Sequence, residues 1–205
     1  MLKAKNFCFE LLKVKNRTLC LFIFSLNLLL FFTPCYSSNY YSDVKKGNEY
    51  YKSMEYDRAL EKYDKAELEN PNSCIIHFNK GAALYKKKDY QKAIEEFTKA
   101  MISESKEIEG KAAYNIGNSK YYLGKKAADA DLSSAIKNYR EALEYYKKAI
   151  DLNSNDMNAK YNYEFVEREL KILQDKLKQQ EKKKEEHQTC PCLSLKYPLP
   201  NLPYA

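Results

Sequence analysis

The sequence predicts an all-α fold, a solenoid of about three helix-turn-helix repeats followed by a C-terminal capping helix. Two observations predict it. Residue types recur 34 positions apart: Gly47 and Gly81, Ala59 and Ala93, Tyr63 and Phe97, Ala66 and Ala100. A period of that length marks an array of supersecondary units that bury their apolar faces only by stacking. The second observation is that no long run alternates with the period of a strand, whereas Ala59, Tyr63 and Ala66 step by four and three and so share one helix face. With 205 residues, 19 tyrosines and nine phenylalanines, the chain is long enough for one domain with a full core.

The first two repeats, 40–73 and 74–109, explain their residue types. Two antiparallel helices approaching at the short end of the usual interaxial range, about 8 Å, tolerate only Gly or Ala at their crossing. Gly47, Ala59 and Ala66 and their counterparts occupy those positions, the aromatic fills the space beside them, and Pro71 turns the chain toward the next unit. A 34-residue unit with this order of Gly, Ala, aromatic, Ala and Pro resembles the tetratricopeptide repeat.

The third copy, 110–155, is stretched. Gly117 lies 36 residues after Gly81, with two extra residues in the polar loop SESKEIEG, 103–110. Ala142, Tyr146 and Ala149 then lie 49 residues after Ala93, Phe97 and Ala100, which implies an insertion of about thirteen. The inserted stretch keeps a helical stripe through Leu132, Ala135, Ile136, Tyr139 and Ala142, so it reads as a second helix lengthened by three to four turns and overhanging the solenoid. Residues 156–187 begin like the first helix of a fourth repeat, and they suit a cap over the end of the array with a charged extension into solvent. The tail 188–205 holds four of the six prolines and no periodicity, and is expected to be disordered or extended.

The N-terminal segment 1–37 reads separately. Lys3, Lys5, Lys13, Lys15 and Arg17 precede the apolar run CLFIFSLNLLLFFT and then small residues, the order of a secretory signal peptide. An uncleaved membrane anchor and a lipidated Cys35 are the alternatives, and each version exports the rest of the chain to the periplasm or cell envelope. Without residues 1–37 the formal charge falls from +7 to +3. The remaining lysines mostly alternate with glutamates, the pattern of a solvated face, which gives nucleic-acid binding no support. Cys190 and Cys192 flank a proline and, with His187, fall short of a four-ligand zinc site.

No catalytic constellation is present in the sequence: His77 and His187 sit in no ligand or nucleophile-activating pattern, and no glycine-rich phosphate loop occurs. The chain is expected to be non-enzymatic, with no cofactor or metal. The concave groove is the place for function, because the first helix of each pair lines it. The glycine phase places Asn48, Tyr51 and Lys52 there from the first repeat and Phe78, Asn79, Tyr85 and Lys86 from the second. Lys111, Tyr114, Asn115, Asn118 and Tyr121 follow from the third, and Tyr161 and Asn162 from the capping helix. An Asn carboxamide offers donors and an acceptor together, which suits an extended peptide, while tyrosines supply flat contact area. Incidental or intramolecular hydrogen bonding of the same asparagines is the competing reading, at a cost of only about 0.7 kcal/mol per mid-helix Asn relative to Ala.

Two family resemblances imply different partners. AAYNIGNSKYYLG, the long second helix and LNSNDMNAKYNYEFVERELKILQ are similar to the tetratricopeptide protein of bacterial Bat (aerotolerance) operons over about residues 110–180. That resemblance implies an envelope scaffold contacting von Willebrand factor A domain membrane proteins. Asn48, Asn79 and Lys111 also resemble part of the carboxylate clamp of co-chaperones that bind acidic C-terminal peptides. Val44 and Asn115 stand where that clamp has cations, so two of its five charges are missing. A purely structural envelope assembly protein is the third possibility, with its contacts on the convex face or the long helix.

Overall fold

The computed structural model describes residues 40–188, which form seven helices and no strand. They are α1 Tyr40–Lys52, α2 Tyr56–Glu69, α3 Cys74–Lys86, α4 Tyr90–Ala100, α5 Lys106–Ala127, α6 Leu132–Leu152 and α7 Met157–Gln188. The expected leader, the clustered cysteines and the proline-rich tail lie outside the described residues. Among the described residues no helix is long and apolar enough to cross a membrane.

Each pair is an antiparallel hairpin, α1/α2, α3/α4 and α5/α6, and each stacks on the next through α2/α3 and α4/α5. The alanines selected by the repeat are buried: Ala59, Ala66, Ala93, Ala100 and Ala142 have no exposed surface. Beside them Gly47, Gly81 and Gly117 each face an aromatic ring of the second helix. A β-carbon on Gly81 would lie 2.7 Å from Phe97 Cδ1, and one on Gly117 would lie 2.7 Å from Tyr146 Cε1, both inside van der Waals contact. The hairpin turns also repeat, with Met54 at φ 63° and Lys88 at φ 65°, 34 residues apart. Neither residue is one that adopts the left-handed region cheaply.

The insertion corrects the expectation of an overhang. α6 is indeed long, at 21 residues, but α5 is equally long at 22. A second glycine–aromatic contact explains this: Gly124 faces Tyr139 as Gly117 faces Tyr146, seven residues further along α5 and seven back along α6. The hairpin has therefore grown by two turns in each arm, so α6 is matched along its length rather than projecting alone.

α1 contacts α3 and α3 contacts α5, whereas α2, α4 and α6 make no comparable contacts with one another. The first helices consequently form the inner wall of the curve. α7 lies against α6, burying Val166, Leu170 and Leu173 on Leu132, Ile136 and Tyr139. From Lys178 to Glu186 its side chains are exposed, which is the charged extension the sequence implies.

Candidate functional site

The inner wall is built from asparagines and tyrosines whose mutual bonds follow the repeat. Asn48 Oδ1 accepts the Tyr63 hydroxyl at 2.8 Å and the Asn79 amide at 3.2 Å. Two pairs further on, Asn118 Oδ1 accepts the Tyr146 hydroxyl at 2.8 Å and the Asn162 amide at 2.9 Å, and Asn162 Nδ2 also donates to the Tyr114 hydroxyl. The middle repeat has Gly81–Ala82 and Phe97 in the same places, so the hydroxyl and its acceptor are absent together. Asn115, facing no such acceptor, donates to the carbonyl of Lys111 within its own helix at 3.0 Å. The asparagines after Gly47 and Gly117 thus satisfy a buried phenol, and Asn79 and Asn162 tie one first helix to the next.

This accounts for part of the asparagine row without a ligand. Asn48, Asn79, Asn118 and Asn162 hold bonds between helices, while Asn115 bonds within its own helix. Burial raises the phenol of Tyr63 to about 12, with the Tyr51 ring adding to the shift. It pushes Tyr146 higher still.

Three depressions run along the inner wall. One of about 370 Å³ is lined by Tyr85, Tyr114, Asn118, Tyr121, Tyr161 and Asn162 among the expected residues, with Tyr122, Tyr146, Phe165 and Val166 added. A smaller one of about 160 Å³ joins Phe78 and Lys111 to Ile75 and Ile108. The third, about 640 Å³, combines Tyr85 and Lys86 with Lys88, Tyr90, Tyr122, Lys125 and Lys126. Asn48, Asn79 and Asn115 line none of the three; nor do Tyr51, which packs edge-on against Tyr56, and Lys52 at the end of α1.

Tyr122 and Tyr90 are the main additions. Their rings stack at 5.1 Å and 9°, and Tyr85 meets both edge-on at 5.6 and 5.9 Å. The glycine phase marks Tyr121 as the counterpart of Tyr85 and gives no reason to select its neighbour. Only the stacking of α5 on the preceding hairpin brings Tyr122 to the surface between them.

His77 also has a role that sequence reasoning missed. It is buried, with Nδ1 2.8 Å from Glu96 Oε2 and Nε2 2.8 Å from the carbonyl of Pro71. Glu67, His77 and Glu96 bring three metal-binding atoms within 4.8 Å of one another. The cation there is supplied internally: Lys80 pairs with Asp64 at 2.8 Å and with Glu67, and Lys99 pairs with Glu96 at 2.9 Å. Burial works to raise the Glu96 carboxyl, but hydrogen bonds from Lys99 and His77 and the charge of Lys80 outweigh it and hold the group below the usual carboxylate range. The cluster joins α2, α3 and α4, on elements that position the wall.

The tetratricopeptide repeat family model matches residues 44–105. The solved first tetratricopeptide domain of Spaghetti (RPAP3) bound to an HSP90 peptide superposes with a TM-score of 0.55 at 21% identity, covering 65% of this chain and 94% of that one. The fold is a tetratricopeptide-repeat solenoid. The Sgt2 tetratricopeptide domain from Aspergillus fumigatus gives a TM-score of 0.54 at 22% identity, over 66% of this chain and 81% of that one. The second tetratricopeptide domain of human RPAP3, in complex with an HSP70 peptide, gives 0.52 at 19% identity, over 63% and 98%. No curated protein matches in sequence. The tetratricopeptide matches extend over both ordinary repeats, and the lengthened third pair described above is built on the same glycine–aromatic packing.

Proposed function

We propose that the chain is a non-enzymatic interaction module that holds an extended segment of a partner protein against its inner wall. The observation that carries this is the tyrosine-lined depression spanning α3, α5 and α7, in which Tyr122 is 38% and Tyr161 64% exposed. Such rings bind with large contact area and little entropic loss. RPAP3 domains of the same fold hold peptides of HSP90 and HSP70, which supports a peptide as the ligand class. Selection of random dodecapeptides on the full-length chain tests it. Related sequences should be enriched, and Tyr122→Ser with Tyr161→Ser should weaken them at least tenfold while the variant stays folded, as its helicity by circular dichroism would show. No enrichment, or enrichment indifferent to both substitutions, would remove the groove from the account.

The finer reading is an envelope scaffold of the Bat type, working with von Willebrand factor A domain membrane proteins. Its support is the Tyr-Asn-containing helix, the long third hairpin and the basic-apolar-small order of residues 1–37. A periplasmic reporter fused after residue 40 should be active; a reporter confined to the cytoplasm would end this reading. A co-chaperone-like carboxylate clamp is less favoured, since Asn48 and Asn79 are bonded to each other and Lys111 to Glu107 at 2.6 Å.

A further inference from the structure

We infer that the partner segment carries a cluster of acidic side chains at one end, received by a lysine-rimmed pocket at the turn edge of the groove. This rests on the peptide-binding reading above and assigns the ligand's chemistry and polarity. The pocket is the third depression, where Lys86, Lys88, Lys125 and Lys126 surround the packed rings of Tyr85, Tyr90 and Tyr122.

Four features carry the inference. No carboxylate lines the pocket, and none of its four lysines forms an ion pair among the described residues. Nearby cations behave differently: Lys87 pairs with Asp57, Lys92 with Asp89 at 3.3 Å, and Lys120 with Glu141 at 2.5 Å. Like charges gathered without partners repel one another, and an anion entering among them relieves that repulsion. The floor is aromatic, and Tyr85 and Tyr122 line both this pocket and the tyrosine groove, so the two are one continuous surface.

The hollow, about 640 Å³, is a shallow depression open to solvent between α3, α4 and α5, continuous with the tyrosine groove through Tyr85 and Tyr122. A peptide laid along the tyrosines would place its next residues among the four ammoniums. Lys86, Lys125 and Lys126 lie in the last turns of α3 and α5, and Lys88 lies in the turn that follows α3.

The selected peptides provide the test. Sequences recovered on the full-length chain should carry Asp or Glu concentrated at one end. Their affinity should fall at least tenfold in the fourfold variant Lys86→Gln, Lys88→Gln, Lys125→Gln, Lys126→Gln, and should fall with added salt in the wild type more steeply than in the variant. All four side chains are exposed and unpaired, so a melting temperature that does not fall is expected and separates lost charge from lost fold. Enriched peptides without acidic bias, or binding indifferent to the fourfold variant, would overturn the inference while leaving the groove standing. Failure to enrich any sequence would overturn both. Sedimentation of the chain with phosphatidylglycerol vesicles that requires the four lysines, together with unbiased peptides, would assign the patch to a membrane surface and equally defeat it.

Discussion

Gly117 and Gly110 lie in the same helix and should respond in opposite directions to alanine. A β-carbon on Gly117 meets the Tyr146 ring, which is fixed by its bond to Asn118, whereas one on Gly110 lies 3.5 Å from Leu152 Cβ, an ordinary contact. Gly117→Ala should therefore cost about 1–3 kcal/mol through overpacking. Gly110→Ala should stabilise by about 0.5–1 kcal/mol through helix propensity; chemical denaturation measures both. The asparagine partners were also readable at this scale. At the three repeat glycines, Gly47 and Gly117 are followed by Asn and pair with Tyr, and Gly81 is followed by Ala and pairs with Phe, which singles out Asn48 and Asn118 as acceptors for Tyr63 and Tyr146; Gly124, paired with Tyr139, is followed by Lys125. The contacts of His77 were not readable, because Glu67 and Glu96 come from two other helices.

The titrating side chains set the pH limits. Glu96 has a depressed folded-state pKa, so its contribution is present above the ordinary carboxylate value and is lost as pH falls below about 4.3 toward the depressed value. Tyr63 and Tyr139 are pushed up to about 12, mainly by burial, so their contribution is present below the ordinary phenol value and is lost as pH rises through about 12. Melting temperature should thus fall on both sides. Glu96→Gln should flatten the acid limb and leave the alkaline limb intact; an unaltered acid limb would show that the buried ion cluster does not govern it.

At the scale of elements, the two ordinary repeats were legible because glycine, alanine and aromatic positions recur at a fixed interval. The division of the insertion between α5 and α6 was not. The turn at 128–131 contains no glycine or proline, and alanines and charged residues continue on both sides, so the stripe reads as one long helix. Antiparallel pairing settles what periodicity leaves open, since an arm extended alone would expose its apolar face. The same logic applies to α7. Its buried side chains end near Leu173, with Leu177 half-covered, so a chain ending after residue 178 should keep its melting temperature. One ending after residue 165 loses Val166, Leu170 and Leu173, each worth about 1.5–3 kcal/mol when buried, and should unfold its third hairpin first, as hydrogen exchange would show.

For the whole molecule, curvature is the link between packing and function. Contacts among first helices but not second helices bend the array so that tyrosines from α3, α5 and α7 converge on one surface. The direction of that surface was legible from the repeat; its membership was not, because Tyr122, Phe165 and Lys88 reach it only through stacking. The most direct test is to map a selected peptide on the full-length chain by NMR chemical-shift perturbation. The account predicts shifts concentrated at Tyr85, Tyr114, Tyr122 and Tyr161 on the inner wall, extending to Lys125 and Lys126. Perturbations confined to outer-face residues of α2, α4 and α6, such as Lys65, Gln91 and Lys147, would contradict it.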